Sequence, residues 1–123
     1  MFVAIQRGDG ETAFREAQLE PNDGYRRFEL ALAHYTRGDR GASDAALAEL
    51  IEKDRNFLAY QVAEVYAWRG ENDKAFEWLQ VSLDNHDTGT LSLLINPLMR
   101  GLRHDPRYSG MLAKIGLPAT QTF

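Results

Sequence analysis

One stretch of this sequence sets two carboxylates, an amide and an imidazole side by side, Asp84-Asn85-His86-Asp87. Carboxylate and imidazole together can hold a divalent cation. A calcium loop of the EF-hand kind would alternate its acidic ligands, turn on a central Gly and close on Glu at the twelfth place. Counted from Asp84, that place is Ile95. The spacing therefore predicts a solvated helix end and turn, and no metal. His34, His86 and His104 lie in different segments and lack the i, i+4 pairing of a helical zinc site. His34 is expected to pack between helices with its ring nitrogens satisfied, and His104 to sit in the turn before Asp105-Pro106. Ser43, Ser82, Ser92 and Ser109 lack the Gly-x-Ser-x-Gly elbow of a nucleophilic serine. The glycines at Gly8-Asp9-Gly10, Gly38 and Gly70 follow or end helices, whereas a phosphate-cradling loop follows a strand and opens a helix. No acid, base, nucleophile or metal set assembles, so the expectation is a noncatalytic protein with no cofactor.

The aromatic residues are more informative. Tyr25, Phe28, Leu32 and Tyr35 are spaced 3, 4 and 3 apart, which places all four on one face of a helix. Phe57, Tyr60, Glu64 and Trp68 repeat the arrangement further along. Rigid amphipathic rings of this kind either make a sticky face for a partner or form core, and the spacing leaves both readings open.

The elements that position these faces are set by regular turn signals. Breaks fall at Gly8-Asp9-Gly10, Pro21-Asn22-Asp23-Gly24, Gly38-Asp39-Arg40-Gly41, Asp54-Arg55-Asn56, Gly70-Glu71-Asn72-Asp73 and Asn85-His86-Asp87-Thr88-Gly89. Segments of about 10 to 16 residues lie between them, helical in period, the length of three or four turns joined by short loops. This is an all-α pattern. Aligning Gly38 with Gly70 matches Leu30-Ala31 to Val62-Ala63, Ser43 to Ala75, Leu47 to Leu79 and Leu50 to Ser82, at an offset of 32. A partial copy with Gly8-Asp9, Ala13 and Ala17 precedes them at an offset of 30. Small residues at Ala63 and Ala75 let paired backbones approach, and large ones such as Tyr66 and Leu79 fill the gaps. Gly70 is expected to end one helix in the left-handed conformation, with Asn72 or Asp73 capping the next.

With 123 residues, 44% apolar and 26% charged, the chain is expected to fold as one compact unit. It carries no Cys, so packing must stabilise it without disulfides. No apolar run approaches the roughly 20 residues of a membrane span, and Met1 to Gly10 lacks the pattern of a secretory signal. A soluble, cytoplasmic protein without a membrane role is expected. The net charge of -4 disfavours nucleic acid, although the segment after residue 87, with Arg100, Arg103, Arg107 and Lys114 against Asp105, carries +3. In that segment Asn96-Pro97 and Asp105-Pro106 each set a capping side chain before a proline at a first helical position. Two short helices are expected there, striped by Leu98, Leu102, Met111, Leu112 and Ile115, with Gly116 and Pro118 as stops.

Ala63, Tyr66, Gly70, Ala75 and Leu79 resemble the tetratricopeptide repeat family in its order of small, aromatic, Gly, Ala and large apolar positions. Residues 24 to 55 follow it less closely, with His34 where Tyr is common and Ser43 for Ala, and both copies lack the frequent closing Pro. Ala45 to Leu79, with the tail motifs Asn96-Pro97-Leu98 and Leu102 to Tyr108, is also similar to the C-terminal repeat region of bacterial regulatory proteins, in which Asp is usual where Asn96 stands. The resemblance implies a right-handed superhelical stack of antiparallel helix pairs, a TPR-like α-solenoid with C-terminal capping helices. Its parts would be a partial repeat over 8–22, repeats over 24–55 and 56–87, and a capping tail over 88–118, all in a single domain. The helix near residues 11 to 19 is expected to lack a full partner.

By that resemblance, Tyr25, Phe28, Leu32, Tyr35, Phe57, Tyr60, Glu64 and Trp68 face a concave groove that binds a protein or peptide. Glu29 and Glu64 would bias it toward neutral or basic segments. Repeats that clamp a chaperone's terminal carboxylate use Lys, Arg and Asn in the groove, and this chain offers Phe28, Leu32, Tyr60 and Glu64 instead, which disfavours that use. The function expected is protein interaction, with homodimerisation as a structural module of a larger regulatory protein the alternative.

Overall fold

The computed structural model describes residues 2–117, and among these every regular element is a helix. The chain divides into two compact units, meeting between Leu58 and Ala59. The first contains α1 (Phe2–Gln6), α2 (Gly10–Gln18), α3 (Asp23–Thr36) and α4 (Arg40–Asp54). The second contains α5 (Ala59–Trp68), α6 (Asn72–Asp84), two 3-10 helices over Thr88–Ser92 and Pro97–Leu102, and α7 (Arg107–Ile115).

Three helix hairpins, α1–α2, α3–α4 and α5–α6, turn on one junction. In each, an Arg-Gly-acid triplet ends the leading helix: Arg7-Gly8-Asp9, Arg37-Gly38-Asp39 and Arg69-Gly70-Glu71. The glycines take φ of +74°, +86° and +78°, a conformation that costs a Cβ-bearing residue energy and glycine little. The acid's N–H then donates five residues back, Asp9 to the Ala4 carbonyl at 2.8 Å, Asp39 to His34 at 2.9 Å and Glu71 to Tyr66 at 2.9 Å. Each glycine N–H donates three residues back, at 3.0, 2.9 and 3.1 Å. Carbonyls that would otherwise be orphaned at a helix end are thereby satisfied, and the chain reverses within two residues.

The acid also starts the next helix. Asp9 Oδ1 accepts from the Thr12 N–H and Asp39 Oδ1 from the Ala42 N–H, both at 3.1 Å. At the third junction the cap position belongs to Glu71, whose carboxylate pairs with Arg69 at 2.8 Å. Asn72 and Asp73, expected as caps, lie inside α6. The junction's geometry decides this, since the hydrogen bond from Glu71 already places that residue at the boundary.

Four residues after each acid comes a small side chain, Ala13, Ser43 or Ala75, and all three are fully buried, as is Ala63 on α5. Ser43 is accommodated because its hydroxyl donates to the Ala31 carbonyl on α3 at 2.8 Å. The Ser82 hydroxyl, also fully buried, has no hydrogen-bond partner among the described residues. The segment before residue 8, expected to be too short for a full partner, forms the five-residue α1, which packs on α2 and buries Ala4 and Ile5. One turn suffices because the junction, more than helix length, brings the two segments together.

In the second unit the helix at Pro97–Leu102 packs on α5 and α7 packs on α6, burying Leu98, Leu102, Met111 and Leu112. Asn96 caps the first through the Leu98 N–H at 3.0 Å, and Asp105 accepts from the Arg107 N–H at 2.9 Å. Gly116, at φ +91°, ends α7. The expected stop at Pro118 lies outside the described residues.

Gly10 marks a second kind of close approach, because a Cβ there would come within 2.6 Å of the Arg37 backbone nitrogen. Backbone cannot step aside cheaply. Gly10→Ala should therefore cost about 1 to 3 kcal/mol by urea unfolding. Gly41→Ala, where the nearest atom is 3.9 Å away, should leave stability unchanged or raise it by up to about 1 kcal/mol.

Candidate functional site

Each of the two aromatic faces predicted from spacing is buried at its middle pair, by different means. On α5, Tyr60 and Glu64 project toward the segment after α6, which covers them. Asp87 ends the α6 turn and its Oδ2 accepts from the Tyr60 N–H at 3.4 Å, while Oδ1 accepts from the Gly89 N–H at 2.9 Å. Gly89 then lies close against Tyr60, where a Cβ would meet ring carbon at 2.8 Å. Beyond it, the Ser92 hydroxyl donates to the Tyr60 oxygen at 3.1 Å. The Asn96 amide donates to the same oxygen at 2.9 Å and to Glu64 Oε2 at 3.0 Å.

Asn96 thus uses both ends of its side chain, the carbonyl as a helix cap and the amide as a donor to two groups on α5. An Asp here could do only the first. Asn at this position supplies the donor that Glu64 meets.

Glu64 is 4% exposed. Burial pushes its carboxyl up to about 7, with Asn96 opposing and Asp87 adding in the same upward sense. The Tyr60 hydroxyl is raised as well, by burial first and by Glu64 second. This is a polar cluster in the second unit, held by neutral donors around one buried carboxyl of shifted acidity.

In the first unit, Phe28 and Leu32 are buried, and Phe28 meets the Phe2 ring edge-on at 6.1 Å. Tyr35 and Trp68 are half-buried. Tyr25 and Phe57 face outward at 41% and 83% exposure. Of the eight residues, then, Phe28, Leu32, Tyr60 and Glu64 lie in the interior and are not free contact surface. The physical reason is that one turn of α1 and the segment over 87–96 supply cover that helical spacing does not reveal. Asp87, Ser92 and Asn96 complete the polar cluster, and sequence reasoning misses them as its members. They stand about thirty residues or more from their partners in the chain, with no periodic relation to them.

The other polar residues singled out by type find separate partners. Asp84 accepts from Gln80 at 2.9 Å while Asp87 turns to α5, so the two carboxylates of the Asp84–Asp87 run diverge. His86 is exposed and sits at φ +58°, where the three other junctions have glycine. His34 is half-buried on the Phe14 ring at 5.2 Å between centroids, and burial, with Arg37 beside it, lowers its basicity. His104 lies exposed in the turn before Asp105. Glu29, half-buried, is raised to about 7 by burial and by neighbouring Glu20.

No family model, curated protein or solved structure matches the chain.

The Glu64 cluster makes stability depend on pH with a definite sign. Between its ordinary 4.5 and about 7, the folded chain holds a proton on Glu64 that the unfolded chain has released. Stability should therefore fall as pH rises through that window and level off above it, by on the order of 3 kcal/mol. Glu64→Gln keeps an acceptor for Asn96 and removes this dependence. Urea midpoints of both proteins between pH 5 and 8 should diverge, and parallel profiles would contradict the assignment. Asn96→Asp, which sets a third carboxylate against Glu64 and Asp87, should cost about 2 to 4 kcal/mol at pH 8. Adding Glu64→Gln should recover part of that loss.

Proposed function

We propose that this chain is a noncatalytic protein-interaction module, a helical-repeat stack of the tetratricopeptide kind that works in the cytoplasm. Three hairpins sharing one junction support the repeat reading, and a right-handed superhelix is the arrangement such hairpins commonly build. The observation that carries the functional reading is the exposure of large apolar side chains at one end of the first unit. Phe57 is 83% exposed, Leu19 81% and Tyr25 41%.

The segments that carry these residues pack on one another. A Cβ at Gly24 would sit 2.8 Å from Leu58 Cδ1, so the start of α3 lies directly against the turn that carries Phe57. Arg26 Nη1 donates to the Glu20 carbonyl at 2.9 Å, which folds the turn after Leu19 onto α3. Arg27 is meanwhile held by Asp54 at 2.9 Å and Glu49 at 3.4 Å, leaving its charge matched. A partner segment with apolar anchors fits such a surface. This keeps the partner class expected from the aromatic spacing and moves the contact from the buried rings to the exposed ones.

Self-association is the second reading, favoured by Val3 of α1, which is exposed beside a half-covered Phe2. Sedimentation at low and high concentration separates the two, since a monomer at both eliminates the homodimer.

Phe57→Ala and Tyr25→Ala should each weaken partner capture by about 1 to 3 kcal/mol. Because both rings face solvent, unfolding midpoints should stay near that of the parent protein. Retention of the same partners, at the same strength, by the double variant would refute the assignment of this surface.

A further inference from the structure

Glu64 is a buried carboxyl on which no cation acts among the described residues. Its hydrogen-bond donor is the neutral Asn96 amide, and the charge that acts on it is that of a second carboxylate, Asp87. Tyr60, one turn earlier on α5, shares the same amide. The cations of the next helix turn elsewhere: Arg100 is exposed, and Arg103 donates to the Leu94 carbonyl at 3.0 Å. An anion at Glu64 is therefore answered only by a neutral dipole, and it is tolerated there only if water can reach it.

The segment that keeps water out is fastened unequally at its two ends. At the far end, Arg103 grips the Leu94 carbonyl, Asn96 accepts from the Leu98 N–H at 3.0 Å, and Leu98, Met99 and Leu102 are buried. At the near end, the Tyr60 N–H reaches Asp87 Oδ2 and the Thr90 N–H reaches the Asp87 carbonyl, each at 3.4 Å, long for a hydrogen bond. The turn leading in holds His86 at φ +58°, which opposes that conformation. Gly89 brings no side chain to its contact with the Tyr60 ring, and Leu91 is turned outward at 60% exposure. The near end is thus the weaker one, and it is also the end that carries the Asp87 charge.

We propose that the 3-10 helix over Thr88–Ser92 is a latch that lifts off α5 from its Asp87 end when Glu64 gives up its proton, and so uncovers the Tyr60 ring. Lifting admits water to the new charge and takes Asp87 away from it. The packing of α5 on α6 and of the helix at Pro97–Leu102 on α5 stays in place. A local opening of this kind breaks few contacts, whereas unfolding the unit would break all of them. The sign follows from linkage. The proton favours the closed latch, so the open population grows as pH rises from the ordinary 4.5 of Glu64 to about 7 and levels off above. The middle of the α5 aromatic face is thereby covered in acid and accessible in mild alkali. The latch uses no residue of the exposed apolar surface of the first unit, so its failure would leave that reading standing.

The test is amide hydrogen exchange of the full-length protein by NMR between pH 5 and pH 8, corrected for the intrinsic dependence of exchange on pH. The opening constants of the Tyr60, Gly89 and Thr90 amides should rise about 70-fold across that range. Amides inside the helices, such as Val65 and Leu79, should exchange at least about tenfold more slowly than these at every pH. In Glu64→Gln the latch amides should vary by less than about threefold over the same range. Gly89→Ala, whose Cβ would meet the Tyr60 ring at 2.8 Å, should lift the latch at any pH. There the carbon-13 titration of the Glu64 carboxyl should move from about 7 toward 4.5. Latch amides that ignore pH, a pH response that survives Glu64→Gln, latch and helix amides that exchange at one rate, or an unmoved Glu64 titration in Gly89→Ala would each overturn the proposal.

Discussion

Everything regular in this molecule depends on a six-residue reversal in which one residue must take positive φ. From Ala4 to Asp9, His34 to Asp39 and Tyr66 to Glu71, the last N–H of the reversal returns to the first carbonyl and the penultimate residue turns left-handed. The two hydrogen bonds satisfy a helix end that would otherwise leave acceptors unpaired. Because the reversal is short, the helices it joins must approach closely, and a small residue one turn into the second helix becomes obligatory. Ala13, Ser43 and Ala75 meet that demand, the serine by giving its proton to the neighbouring helix.

A fourth reversal has the same hydrogen bonds and a different outcome. Asp87 donates to the Ser82 carbonyl at 2.9 Å and His86 to Leu83 at 3.0 Å, with His86 at the left-handed position. That conformation costs a residue with a Cβ on the order of 1 kcal/mol. The chain then enters a 3-10 helix lying against Tyr60, and Asp87 fastens it to α5. The polar cluster of Tyr60, Glu64, Ser92 and Asn96 is thus an outgrowth of the same device that builds the hairpins.

That cluster explains why Tyr60 and Glu64, two of the predicted contact residues, became interior. Tyr60 and Glu64 do share a helix face, as their spacing requires, but a face says nothing about what will lie against it. The chain places Gly89 against the ring and Asn96 at the hydroxyl and the carboxyl, so the face closes on its own polypeptide. Tyr25 and Phe57, at the end of the α3–α4 hairpin, have no such cover.

The helices, their approximate ends and the thrice-repeated glycine reversal could be read from residue types, because each depends on interactions within about six residues: a left-handed glycine, a capping carboxylate, a proline at a first turn. Burial of Ala63 and Ala75 was legible for the same reason, since local reversal forces local closeness. That Tyr60 and Glu64 close over while Tyr25 and Phe57 stay open, and that the Asn96 amide meets both Tyr60 and Glu64, were decided only in three dimensions. Those outcomes rest on side chains about thirty or more positions apart, whose meeting is fixed by packing and leaves no periodic trace along the chain.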